Sequence, residues 1–171
     1  MAKVRIDGLE IDQDLDFQRR SWIVQRIGWA LMFLIVLAAV LGLLGPGRLS
    51  HGRADAPGAM SVEYQRLSLY ETPDTLTVRL EPAVTAQDTV RVALDRGFLD
   101  SAKMTSVLPP PVRVEAAAGR LVYVFAVAER GTPMTITFGF EPQVIGPRRG
   151  VVALEGAPAG GSVTFRQFVY P

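Results

Sequence analysis

Between residues 27 and 44 the chain reads IGWALMFLIVLAAVLGLL, eighteen residues without a charge. Coiled as an α-helix, this run would be about 27 Å long, close to the hydrocarbon thickness of a bilayer. A helix packed in a soluble core keeps a polar stripe on its outer face, and this run has none. The segment therefore predicts a transmembrane helix over residues 27–45. Trp22 and Trp29 stand at its N-terminal border, where indole rings favour the headgroup level, and Arg19, Arg20 and Arg26 accompany them as interface anchors. Gly45, Pro46 and Gly47 stop the helix at its other end.

A cleaved signal peptide would have a shorter apolar region with a small-x-small site directly after it. Ala54, Asp55 and Ala56 have that form, but they lie well beyond the apolar run and precede Pro57, so the helix is expected to remain as an anchor. Three arginines (Arg19, Arg20, Arg26) before the helix against two (Arg48, Arg53) after it give a small positive-inside margin. A short tail, one helix and then a whole domain is the signal-anchor layout. It places residues 1–26 in the cytoplasm as a tail and residues 60–171 in the periplasm, with the helix in a bacterial inner membrane. Arg19, Arg20, Ser21, Trp22 and Ile23 share features with a twin-arginine export signal, but Gln18 stands where Ser or Thr is usual, so the export route stays open.

The bacterial assignment draws on composition. Sixteen of the eighteen basic residues are Arg, and Asn is absent, which removes any N-glycosylation acceptor. Basic and acidic residues nearly cancel, 18 against 17, so there is no cationic field of the kind phosphate neutralisation needs, and nucleic acid is not expected as a partner. Cysteine is absent, which excludes disulfides, thiolate metal sites and thiol catalysis.

Residues 46–59 are rich in Gly, Pro, Ala and charge, show no apolar period, and read as a flexible linker carrying the only histidine, His51. From Met60 the period becomes two. Apolar residues alternate with polar ones at Val62/Tyr64, Leu76/Val78/Leu80, Val90/Val92/Leu94, Val112/Val114, Ile136/Phe138/Phe140 and Val163/Phe165. Residues 121–127, LVYVFAV, are apolar on both faces, as a covered central strand would be. Turn formers separate these runs. The fold class expected for residues 60–171 is an all-β, immunoglobulin-like antiparallel β-sandwich of about eight strands.

Candidate chemistry is sparse. Asp12, Asp14 and Asp16 alternate as in a calcium loop, but Phe17 replaces the turn glycine and Ile23 the bidentate glutamate. Ser101 and Lys103 are spaced i, i+2, unlike the helical S-x-x-K turn of Ser-Lys hydrolases. Glu63, Glu81, Asp95 and Glu141 read as outward-facing or turn residues balancing arginines. The glycines at 42–47 and 156–161 lack the lysine and helix of a phosphate loop. No catalytic, cofactor or metal site is expected, and no cofactor. Three features suit contact instead. Ala38 and Gly42 form a small-xxx-small pair that would admit a second membrane helix. Arg148 and Arg149, between Gly146-Pro147 and Gly150, are expected at a loop tip, touching lipid headgroups or an acidic partner. The last strand either completes the core or offers Phe168 and Tyr170 as an apolar edge, the first being preferred.

The Arg-Arg-x-Trp tail, the Gly-Trp helix ending Leu-Gly-Leu-Leu-Gly-Pro-Gly-Arg-Leu-Ser, the Val-Glu-Tyr strand and the terminal Phe-Val-Tyr-Pro resemble a group of bacterial single-pass membrane proteins with a periplasmic β-sandwich, associated with YetF-like membrane proteins. The resemblance spans most of the chain and implies no functional residue. The layout is also similar to the small assembly factors of haem-copper oxidases; those that deliver copper use cysteines, so copper delivery is excluded here. The expected function is a non-catalytic accessory or assembly subunit of an inner-membrane complex, with other membrane proteins and membrane lipids as partners. The alternative is a periplasmic binding or sensing module for a peptide, envelope polymer or small ligand.

Overall fold

An unbroken apolar run and, after it, a pattern of period two belong to two separate units, residues 1–40 and 41–171. The computed structural model describes residues 15–40, 50–156 and 161–171. In the first unit, α1 (Leu15–Val40) is a continuous 26-residue helix. Its apolar stretch, Gln18–Val40, is long and apolar enough to cross a membrane, and none of it is buried within the chain. Trp22, Arg26 and Trp29 recur at helical spacing on one side, and the Arg26 guanidinium lies 4.0 Å from the Trp22 ring centroid. The C-terminal stop at residues 45–47 lies outside the described residues.

The second unit is a β-sandwich of two sheets. Its strands are β1 (His51–Ala56), β2 (Met60–Gln65), β3 (Leu67–Leu69), β4 (Asp74–Leu80), β5 (Thr89–Asp95), β6 (Ala102–Leu108), β7 (Arg113–Ala117), β8 (Arg120–Ala126), β9 (Met134–Pro142), β10 (Gly146–Glu155) and β11 (Ser162–Tyr170). One sheet has the order β1-β2-β4-β9-β6, the other β3-β11-β10-β5-β8-β7. Neighbours run antiparallel except β3 and β11, which are parallel. The core forms where the inward residues of both sheets interdigitate: Val62, Leu76, Val78, Ile136 and Phe138 from one, Val92, Phe125, Val152 and Phe165 from the other. Each fully buried aliphatic or aromatic side chain contributes about 1.5–3 kcal/mol.

Three expectations need correction. The stretch read as a tether holds β1, paired with β2 from His51↔Gln65 to Ala56↔Met60. Pro57 and Gly58 (φ 75°) occupy the two central positions of the turn joining them, closed by Ala59 N–H donating to the Ala56 carbonyl at 3.0 Å. Proline followed by a positive-φ glycine is the pattern of a type II turn, so a composition read as loose is turn chemistry. Gly52 is part of the packing: a Cβ there would come within 2.6 Å of the Tyr64 ring across the pair.

The loop tip proposed for Arg148 and Arg149 is strand. Both lie in β10, where Arg148 pairs with Gln167 and Arg149 with Arg166 of β11. Pro147 is tolerated because it stands at the start of the strand, after Gly146 at φ 113°. The antiparallel β-sandwich expected for residues 60–171 is otherwise the fold observed, with ten strands there among the described residues. Finally, β8 has no third layer over it. Its outward Val122 joins Ala93 and Ala153 in a small outer cluster. Beside it Arg91 bridges Glu115 and Glu155 at 2.7 and 2.9 Å, and these long side chains cover the outer apolar groups.

Candidate functional site

The chain changes sheets at Arg66. Strand β2 ends at Gln65 in one sheet and β3 begins at Leu67 in the other, so a single residue makes the corner. Arg66 is fixed from both sides: its N–H donates to the Ser50 carbonyl, and its own carbonyl accepts from Phe168 N–H at 2.8 Å. Ser50, fully buried, adds a hydroxyl bond to the Leu67 carbonyl at 2.9 Å. The backbone of the corner is thus rigid, while the Arg66 side chain remains exposed.

Beneath the corner lies a buried polar chain linking the sheets. Asp74, 3% exposed at the start of β4, accepts from Thr75 N–H and from Gln167 Nε2, both at 2.6 Å. Gln167 also donates to the Gln65 carbonyl at 3.1 Å, and its Oε1 accepts from Arg148 Nη1 at 3.3 Å. Arg148, 7% exposed, donates through Nε to Ser101 Oγ at 2.9 Å and through Nη2 to the Phe98 carbonyl at 3.0 Å. Phe98 and Ser101 belong to the short helix α2 (Arg96–Asp100) and its C-terminal cap, and Asp95 caps its start by accepting from Phe98 N–H at 3.3 Å. The Arg148 guanidinium lies 4.5 Å from the Phe98 ring centroid. Phe98 in turn meets Phe140 of one sheet and Phe165 of the other edge-on, at 5.2 and 5.1 Å.

A buried carboxylate and guanidinium are costly unless their hydrogen-bonding capacity is filled. Here the polar atoms are served: among the described residues no buried side-chain nitrogen or oxygen lacks a partner. Burial pushes the Asp74 carboxyl above the ordinary aspartate range, against the hydrogen bonds from Ser68, Thr75 and Gln167 and the nearby Arg148 charge, which pull it down. Burial likewise lowers the Arg148 pKa, with the Asp74 charge opposing. Gln167 joins the two as acceptor from one and donor to the other.

Above this floor an open groove of about 700 Å³ is lined by Tyr64, Arg66, Pro147, Arg148, Arg149, Arg166, Gln167 and Phe168. Arg149 and Arg166 are direct cross-strand neighbours, as are Pro147 and Phe168, and these four alternate with the inward Arg148 and Gln167. Like charges directly opposite destabilise a sheet. Neither arginine, nor Arg66, is in an ion pair with any described residue. Phe168 is 47% exposed beside them, with Ile145 (53%) and Val144 (50%) on the approach to β10.

The other sequence candidates fall elsewhere. Ser101 is engaged by Arg148, while Lys103 pairs with Glu141 at 3.3 Å, so the Ser-Lys pair does not form. Among the described residues no three His, Asp or Glu side chains gather as a metal site. Trp22, Trp29, Arg19, Arg20 and Arg26 are exposed on α1. Ala38 lies near its C-terminal end, and its partner Gly42 lies outside the described residues. The last strand completes the core through Phe165 and Val169, as preferred; it is no free edge, since β3 pairs with residues 168–170, and only Phe168 of the two outer aromatics is exposed. The sequence reading named Arg148 and Arg149 but missed Asp74, Gln167, Arg66 and Arg166. A signal for the last was present in the alternation of Phe165, Gln167 and Val169 with Arg166 and Phe168, which sets an arginine on the outer face.

No family model matches the chain, and no curated protein matches it. Among solved structures it is similar to a cohesin module from a Clostridium perfringens family 33 glycoside hydrolase, with a TM-score of 0.46 and 9% identity over 67% of this chain and 98% of that one.

Proposed function

We propose that this chain is a membrane-anchored, non-catalytic accessory or assembly subunit of a bacterial inner-membrane complex, with its β-sandwich on the periplasmic side acting by contact. The observation that carries the reading is α1: none of its apolar stretch Gln18–Val40 is buried by the rest of the chain. Trp, Leu, Ile, Val and Phe side chains left bare over that length need lipid or another helix to cover them. The arginines preceding the apolar run supply the cytoplasmic anchor of a signal-anchor layout. The polar groups best placed for chemistry, Asp74, Arg148 and Ser101, are occupied by one another and by Gln167, which suits a structural role.

Purification of the chromosomally tagged chain from native membranes in mild detergent tests this reading. A membrane protein co-eluting in fixed ratio is the expected result. Recovery of the chain alone, at its own mass, would sink the subunit reading.

A second reading, a periplasmic binding module on the same anchor, is favoured by the groove, where unpaired arginines lie beside an exposed phenylalanine. That surface suits an anionic, partly apolar occupant.

A further inference from the structure

We propose that the groove at the sheet-switching corner, with Arg66, Arg149 and Arg166 as its cations and Phe168 as its apolar contact, docks the β-sandwich onto the anionic headgroups of the membrane in which α1 is anchored. The inference rests on the membrane-anchored reading above.

Two independent observations lead to it. The first is charge and shape. Three exposed arginines converge on one open groove without a carboxylate paired to any of them among the described residues. Arg149 and Arg166 face each other directly across β10 and β11, a like-charge pairing that costs stability and that a bound anion would relieve. Guanidinium groups bind phosphate oxygens in bidentate fashion. The exposed Phe168, Ile145 and Val144 beside them are of the type that settles at the headgroup boundary while cations hold the phosphates.

The second is where the chain enters the domain. Ser50, the first described residue after α1, is bonded directly to the groove's corner: its carbonyl accepts from Arg66 N–H, and its hydroxyl bonds Leu67. Between Val40 and Ser50 the chain can extend at most about 35 Å. The chain therefore enters the sandwich at the corner that carries the arginines, within that length of chain from the end of α1. A basic residue close to an anionic bilayer multiplies partition by about five-fold, so three acting together supply roughly a hundred-fold. That would be weak for a free protein, but it is ample for a domain already tethered beside the surface. The buried Asp74, Gln167 and Arg148 chain holds the groove floor, so β10 and β11 present the outer arginines in fixed register.

The absence of cysteine makes the test clean. Thr164→Cys, exposed and on the same face as Arg166 and Phe168, is spin-labelled in the full chain and reconstituted into nanodiscs of zwitterionic lipid or of zwitterionic lipid with phosphatidylglycerol. The proposal expects collision with an aqueous nickel chelate to fall several-fold in the anionic discs alone. The effect should disappear in about 1 M salt, where the Debye length is ~3 Å, and in Arg149→Glu/Arg166→Glu, whose substituted positions are exposed and leave the core untouched. Equal accessibility in both kinds of disc, with the chain firmly incorporated, overturns the docking proposal and leaves the anchored reading intact. Failure of the chain to enter discs at all overturns both. Shielding found only in discs excised from native membranes, and absent from protein-free anionic discs, identifies a protein as the occupant and overturns the lipid assignment.

Discussion

At Asp74 burial and hydrogen bonding pull in opposite directions, and burial prevails, so the native carboxyl binds its proton more tightly than the unfolded one does. Stability from this group is then fully present below the ordinary aspartate pKa and is lost as pH rises through the raised native value. Acidification from neutrality into that window should therefore stabilise the wild type relative to Asp74→Asn, which carries no titrating group there. Paired unfolding midpoints measured from neutral pH down to about pH 4 check this; a difference independent of pH would contradict it. Arg148→Met leaves Ser101 Oγ and Gln167 Oε1 without the Arg148 donor, takes one of three donors from the Phe98 carbonyl and leaves Asp74 without its nearby cation. The expected loss is about 2–4 kcal/mol, read as a fall in thermal midpoint. Gly150→Ala tests packing on the same strand. Its Cβ would lie 2.3 Å from Phe165 Cζ, and that ring is wedged between Tyr64 and Phe98, so a loss of about 1–3 kcal/mol is expected by denaturant titration.

Strands whose side chains alternate strictly were legible in the sequence, because alternation over a buried face leaves a mark of period two. That mark identifies β2, β4, β5, β9 and β11, while β8 shows as a continuous apolar run; the Val112/Val114 alternation falls at β7 but covers no buried face, the two valines being 65% and 48% exposed. The remaining four hide it for separate reasons. Strand β6 has a register shift between Met104 and Ser106, which breaks the period and sets Ser106 against Gly139. Strand β10 opens with Gly, Pro and two arginines, one of them buried, which imitates a turn. Strand β3 is three residues long. Strand β1 is held by backbone pairing rather than by large apolar side chains, and glycine and alanine there leave room for Tyr64. The buried polar chain was illegible for a related reason: Asp74, Arg148 and Gln167 are distant in sequence, and only the register of β10 with β11 and the packing of β4's sheet against theirs bring them together. The consequence at this scale concerns β1. A fragment beginning at Met60 exposes the edge of β2 and lacks the Ser50 bonds to Arg66 and Leu67. It should aggregate or unfold at lower temperature than a fragment beginning at Ser50, by several degrees in thermal unfolding. Equal stability of the two would mean that β1 adds nothing to the fold.

For the whole chain, the features argued above converge on one use. The sandwich is internally satisfied: its core is apolar, its buried polar atoms are partnered among the described residues, and Arg91 and Lys103 are paired with acids. What remains unsatisfied is outward-facing, namely the bare apolar helix and the arginine groove beside the point where the chain enters the sandwich. These two features are what the proposed role, holding a surface at a membrane, would use. The measurement that bears most directly on this account is the intact mass of the native chain recovered after alkaline carbonate washing of membranes. A chain that still carries the helix, with Trp22 and Trp29 attached, is expected to stay in the pellet. A shortened chain lacking the helix and released into the wash would contradict it, since α1 would then be an export signal and the sandwich a free protein.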